Sequence, residues 1–159
     1  MSAAPTQSPP PSRRQAARLA AVQALYQWQE GEHSPAEIIE QFLKVRTGET
    51  GEGGMRRDAD RPLFKDVVEG TVSHKEELEQ TVTGALAQDW TWARVDRLVR
   101  AILLAGAYEL LHRKDVPPKV AINEYVEIAH AFYDQGESTF VNSVLDRVAR
   151  QARSAELVR

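Results

Sequence analysis

The chain has no cysteine. That excludes disulfides, thiolate metal sites and a cysteine nucleophile, and it suits a reducing cytoplasm. No apolar run is long and charge-free enough to span a bilayer, so no membrane partner is expected. Residues 1–12 are rich in Pro, Ser and Ala and lack the apolar centre of a signal peptide. Sustained strand alternation is nowhere evident. His-Glu-x-x-His, Gly-x-Ser-x-Gly and Gly-x-Gly-x-x-Gly are all missing, and the glycine-rich stretch 47–61 is not followed by the Gly-Lys-Ser/Thr of a phosphate loop. Nothing assembles a nucleophile, base and oxyanion donor, so an enzyme is not expected. Acid is missing too, locally: nothing before Glu30 carries a negative charge.

That last absence polarises the chain. It holds 20 Lys+Arg against 23 Asp+Glu, net −3. Arg13, Arg14 and Arg18 nevertheless stand together at the head of a helical run. A cationic helix end on an acidic body favours an anionic partner at that end, and phosphate is the commonest one.

The length, 159 residues, fits one domain. Residues 1–11, with Pro5, Pro9, Pro10 and Pro11, read as a disordered tail. The domain spans 12–153, and 154–159 form a short C-terminal tail. A helix is predicted from about Ser12 to Gln29, ending near Gly31. Ser34-Pro35-Ala36-Glu37 is a capping box with proline at the first helical position and starts a second helix. Residues 47–61 read as a mobile connection. Pro62 opens a helical run to about Ala87, with Gly70 as the expected break. Thr91 is the expected cap of a helix from Arg94 to His112, apolar nearly all round through Val95, Leu98, Val99, Ile102, Leu103, Leu104, Ala107, Leu110 and Leu111, and therefore central. Pro117-Pro118 starts another helix, and Gly136 marks a turn. Ser138 leads into a last helix with Phe140, Val141, Val144, Leu145 and Val148 at helical spacing. The expected fold is all-α, one compact bundle of six to seven helices.

Arg14 and Arg18 share a helix face that continues into Val22 and Leu25. Unpaired guanidinium groups are costly to bury. The simplest resolution is a helix head that projects past the core and leaves its arginines to a ligand; the alternative is pairing with surface carboxylates. Tyr26 and Trp28 could stack an unpaired base, but core placement is the favoured reading of Tyr26, and core or rim placement that of Trp28. Glu127…His130 and Glu30…His33 have the Glu-x-x-His spacing of helical di-metal sites. The second falls at a helix break, and surface polarity explains both, so no metal and no cofactor is expected. Asn123-Glu124 reads as a polar pair satisfying groups where its helix meets a neighbour.

Three blocks carry a resemblance. They are Arg14-Gln15-Ala16-Ala17-Arg18 continuing to Val22-Gln23-Ala24-Leu25-Tyr26-Gln27-Trp28; Asp115-Val116-Pro117-Pro118-Lys119-Val120-Ala121-Ile122-Asn123-Glu124; and Phe140-Val141-Asn142-Ser143-Val144-Leu145-Asp146. In order and spacing the chain resembles the NusB family of bacterial transcription antitermination factors from about Arg13 to Ala149. Leu104 stands where the family often has arginine, and Ser143 where it has glycine. The resemblance implies an all-helical RNA-binding protein in the cytoplasm. It would pair with NusE, a small-subunit ribosomal protein, bind the single-stranded boxA of nascent ribosomal RNA leaders, and join other Nus factors on RNA polymerase. Carried over position by position, it implies RNA contacts at Arg13, Arg14, Gln15, Arg18 and Tyr26, and a second RNA-facing surface at Gly136, Glu137 and Ser138.

Three arginines facing phosphate would give a salt slope of only about −2, at roughly −0.7 per contact for a single strand. Weak binding alone and a need for a partner follow. Three rival readings remain open at this level: an RNA-targeting module related to rRNA methyltransferases, a protein–protein adaptor that binds no RNA, and a homodimer that hides the arginine face.

Overall fold

The computed structural model describes residues 12–44 and 55–153, which form seven α-helices and no strand among the described residues. The expected tails 1–11 and 154–159, and the 47–54 part of the expected loop, lie outside the described residues.

Most helix boundaries have a local cause. Helix α1 (Arg13–Gln29) starts where the Ser12 hydroxyl accepts the Gln15 N–H at 3.0 Å. It stops at Gly31, whose φ of +80° takes the chain out of the helix at no steric cost. Helix α2 (Pro35–Lys44) follows Ser34, which accepts the Glu37 N–H at 3.2 Å and donates to the Glu37 carboxylate at 3.1 Å. The Asp60 carboxylate accepts from Leu63 at 3.1 Å and caps α3 (Arg61–Ser73).

The long run expected to break at Gly70 breaks at His74 instead, and α4 (Lys75–Gly84) begins there. Gly70 stays inside α3, where a Cβ would fall 2.1 Å from Tyr108 Cζ. Its job is close approach, not termination. Thr91 caps only a single 3-10 turn, Trp92–Arg94. The next true helix, α5 (Arg97–His112), is capped by Asp96. Helix α6 (Pro118–Phe132) has proline at its first position. Helix α7 (Gln135–Ala152) starts earlier than expected. Gly136 and Ser138 therefore sit inside its first turn, with the Ser138 hydroxyl donating to the Gln135 carbonyl at 2.9 Å.

Helix α5 is the centre, with α1, α3, α4, α6 and α7 packed around it. Its all-round apolarity has the expected consequence: Val99 and 101–110 are buried without interruption. Two kinds of small residue set the spacing. Ala17, Ala20, Ala21 and Ala24 line the inner face of α1. At Gly106 the bundle closes so tightly that a Cβ would meet Leu145 Cδ1 at 2.8 Å.

The described end of the 47–61 connection is docked. Met55 and Ala59 are buried. The Asp60 N–H donates to the Arg13 carbonyl at 3.0 Å, and Arg13 Nε donates to the Asp58 carbonyl at 2.7 Å. A segment read as mobile linker thus braces the start of α1.

Candidate nucleic-acid interface

The arginine end of α1 divides into two environments. Arg13 and Arg14 are exposed. Arg14 reaches only a loose ion pair, 3.7 Å from Asp60, with its side chain 53% exposed. The docked 55–60 segment adds Arg57, also exposed, beside them, together with Asp58 and Asp60. The ledge there is mixed: exposed Arg13, Arg14 and Arg57 stand beside an exposed Asp58 carboxylate, which Arg56 holds at 2.7 Å. The one local signal for Arg57 is the Asp60 cap three residues later, which ties this segment to the start of α3.

Arg18 does not stand free, and here the expectation of a projecting helix head is corrected. Its side chain is 2% exposed. Nε and Nη2 donate to the two Glu109 carboxylate oxygens at 2.8 and 2.9 Å, a bidentate pair across α1 and α5. The Tyr125 hydroxyl on α6 makes a short hydrogen bond to the same carboxylate. Glu124 comes within 4.0 Å of Arg18 at this junction, while its other carboxylate oxygen is buried without a hydrogen-bond partner and Asn123 faces solvent. The stripe that looked like arginine giving way to hydrophobe is core throughout from Arg18, through Val22, to Leu25. What makes that affordable is an acid delivered from another helix.

The electrostatics follow from burial and partners. Burial opposes the Arg18 charge, but the Glu109 carboxylate outweighs it and the guanidinium pKa is raised. Burial first, then Glu109, pushes the Tyr125 hydroxyl well above the usual tyrosine value. Burial and the Asp66 carboxylate, which accepts from Tyr108 at 2.9 Å, push Tyr108 up to about 12. The folded state thus holds both phenolic protons more tightly than the unfolded chain does. Their contribution is complete below about pH 10 and, for Tyr108, is lost as pH rises from 10 through about 12. Urea unfolding of the parent at pH 8, 10 and 11 should show falling stability over the last two. Tyr108→Phe should flatten part of that fall; an identical decline in the variant would refute the assignment.

A half-exposed stripe leaves the arginine end. Gln15, Leu19, Gln23 and Tyr26 recur at helical spacing along α1, beside the buried stripe. Arg14 and Tyr26 lie about 18 Å apart along the axis, at 1.5 Å per residue. Tyr26 is 37% exposed, against the favoured core reading, while Trp28 is partly buried against the core as expected. Tyr26 opens onto a depression of about 450 Å³ with Gln23, Gln27, Phe132 and Tyr133. Phe132 is 43% exposed. The Tyr133 hydroxyl bonds closely to Asp96, and burial with that carboxylate raises its pKa.

Asp96 also lines a neighbouring groove with Trp90, Val99, Gly136, Glu137 and Phe140. The Trp90 and Phe140 rings pack at 4.9 Å. Two of the predicted second-surface residues, Gly136 and Glu137, therefore border a groove adjoining the Tyr26 depression. Ser138 is 2% exposed and turns inward, so only its neighbours offer side surface there. Phe140 recurs at the helical spacing of buried residues, so nothing local marks it as a groove residue; Trp90 lies in the turn between α4 and the 3-10 turn.

Neither Glu-x-x-His pair gathers a metal set. Glu127 and His130 are both exposed, and His33 lies 3.3 Å from Glu37. No helix among the described residues is long and apolar enough to cross a membrane.

A family model described as the NusB family matches residues 15–150. The chain is 46% identical over 148 residues to the transcription antitermination protein NusB of Rhodopseudomonas palustris strain HaA2, covering 93% of this chain and 88% of that one. It is 48% identical over 143 residues to the protein of the same name from Rhizobium etli strain CIAT 652, covering 90% and 89%. Among solved structures, T. maritima NusB superposes with a TM-score of 0.71 at 24% identity, covering 97% of this chain and 100% of that one. A crystal structure of antitermination factors NusB and NusE in complex with dsRNA gives a TM-score of 0.72 at 24% identity, covering 87% and 97%. At that identity the superpositions speak to the fold.

Proposed function

The chain belongs to the NusB family, and from that premise we propose that it positions an unpaired RNA strand jointly with a NusE-type ribosomal protein. It is a transcription antitermination factor with no catalytic role of its own. In our reading its RNA is the single-stranded boxA of a nascent ribosomal RNA leader, bound in the cytoplasm, and the assembly then joins RNA polymerase with other Nus factors.

The observation that carries this reading is the exposed Arg13–Arg14 ledge leading, by the Gln15–Leu19–Gln23 stripe, to exposed Tyr26. Arginines there grip phosphate without regard to sequence. Discrimination then falls to base edges within reach of Gln15 and to stacking on Tyr26. Gly136 and Glu137 border the route on the far side. Arg18 serves from inside: it fixes the α1–α5 junction and so the direction in which Arg13 and Arg14 point.

With Arg18 withdrawn into the core, Arg13 and Arg14 supply about −1.4 of the expected salt slope for the isolated chain, and Arg57 on the same ledge up to about −0.7 more. Such a slope leaves affinity low without a partner that enlarges the surface. The exposed aromatic depressions around Phe132 and Phe140 suit that partner, since contiguous apolar surface beside a polar rim marks a protein contact.

Anisotropy titrations with a short boxA-like RNA, with and without the ribosomal partner, test the reading. Arg13→Ala/Arg14→Ala, folded as judged by circular dichroism, should reduce the isolated chain's slope by about 1.4 and weaken the joint complex. Tyr26→Ala should cost about 1–3 kcal/mol of RNA affinity, the usual loss of one stacked base. Parental binding by the double arginine variant would rule out the ledge as the RNA site. Tight RNA binding that ignores the ribosomal partner would rule out shared recognition.

A further inference from the structure

Far from the ledge, the fold brings together three side chains that the sequence keeps apart. His74 caps α4, Glu77 lies in its first turn, and His112 is the last residue of α5. One ligand atom from each falls within 4.8 Å of the other two. His112 Nε2 is 2.6 Å from Glu77 Oε1. The two imidazole rings lie 4.1 Å apart. His74 and His112 are 38 positions apart in the sequence, and the fold sets both beside Glu77.

We propose that His74, Glu77 and His112 form a site for a first-row divalent transition metal, zinc above all. Three features support it. Two imidazoles and a carboxylate are a donor set that zinc accepts, with a fourth position left to water. His74 Nδ1 lies 2.9 Å from the Gly70 carbonyl. A carbonyl can only accept, so Nδ1 carries the proton and Nε2 keeps its lone pair for a ligand. A backbone carbonyl behind an imidazole is the usual outer support of a metal-bound histidine. Finally, the His112–Glu77 contact already holds a nitrogen and a carboxylate oxygen at hydrogen-bond distance, so a small side-chain rotation to the roughly 3.3 Å between neighbouring ligands of a tetrahedral ion would let a cation take the place of the shared proton.

The three groups are not fully buried, which leaves the ion an entry path and lets the side chains close by rotation. Bound there, the metal would join the start of α4 to the end of α5. The role is structural and independent of the RNA reading.

The full chain, free of any affinity tag and dialysed against chelator, is titrated calorimetrically with zinc chloride and followed by visible absorption with cobalt(II). The expected result is one ion per chain, with a Kd of about 10 µM or tighter. A tetrahedral cobalt spectrum and a higher melting temperature with zinc should accompany it. His74→Ala and His112→Ala should each lower the affinity tenfold or more, and Glu77→Gln should lower it as well. His33→Ala and His130→Ala should leave it unchanged. Circular dichroism confirms that each variant folds. The proposal is overturned by non-saturating or weaker uptake, or by binding that survives loss of His74 and His112. It is equally overturned by binding that disappears with His33→Ala, which would assign the ion to His33 and Glu37.

Discussion

Glu109→Ala is expected to be among the most damaging single changes in this chain, lowering the unfolding free energy by about 3–5 kcal/mol. The reason lies in what remains. Arg18 is 2% exposed and would keep its charge with the bidentate carboxylate gone. Only Glu124, 4.0 Å away and part exposed, could partly replace it. The Tyr125 hydroxyl would lose its acceptor as well. Arg18→Ala should cost a comparable amount by stranding Glu109, which is fully buried. Removing both charges at similar volume, as in Arg18→Met with Glu109→Leu, should restore most of the loss. Charged pairs inside proteins are costly to break but often replaceable. Chemical unfolding of the two single variants and the double gives a cycle whose coupling should be strong. If the singles were near parental in stability, the pair would have to be wet, and the placement of Arg18 in the core would be wrong. If the double fell as far as the sum of the singles, something other than the pair would be holding α1 to α5. This experiment also guards the functional test, because an Arg18 variant that loses RNA binding would be reporting misfolding rather than a lost phosphate contact.

The second large effect is expected at Gly70. An added Cβ would sit 2.1 Å from Tyr108 Cζ and 2.4 Å from its hydroxyl oxygen. The ring cannot slip aside cheaply. It is 6% exposed, and its hydroxyl is tied to Asp66, which also holds Arg113 at 2.8 Å. Gly70→Ala should therefore expel the ring from the α3–α5 contact. Overpacking of this kind costs about 1–3 kcal/mol, against roughly 1 kcal/mol gained because alanine is the better helix former. A net loss is expected, visible as a lower midpoint in urea. Tyr108→Ala supplies the check. In the Gly70→Ala background it should cost less than in the parent, because the clash disappears with the ring. Stability equal to or above the parent in Gly70→Ala would show that α3 and α5 are not packed this closely.

These two sites show which inferences sequence supports. Helix starts written into adjacent residues were legible. Ser12, the Ser34–Glu37 box and Pro118 each act within one turn, and each begins a helix where expected. The central helix was legible because a segment apolar on every side has nowhere else to go. Boundaries failed where the decisive contact came from elsewhere. Gly70 looked like a breaker until Tyr108, 38 positions on, required its missing side chain. Gly136 read as a turn and lies in a first helical turn.

The candidate site divides the same way. Composition alone placed the cations at the head of α1, and the family motifs named Tyr26 and the start of α7. By itself the sequence determined the helical class, the central helix and the charge polarity, because short-range backbone geometry and the partitioning of apolar side chains settle those. Tertiary structure alone decided that Arg18 is buried while Arg13 and Arg14 face water. Its partner Glu109 is 91 positions away, and a guanidinium leaves water only when packing delivers a carboxylate to it. The meeting of His74 with His112, and the docking of 55–60 against α1, were decided likewise. Such contacts depend on how helices pack across the bundle, and no local pattern encodes them.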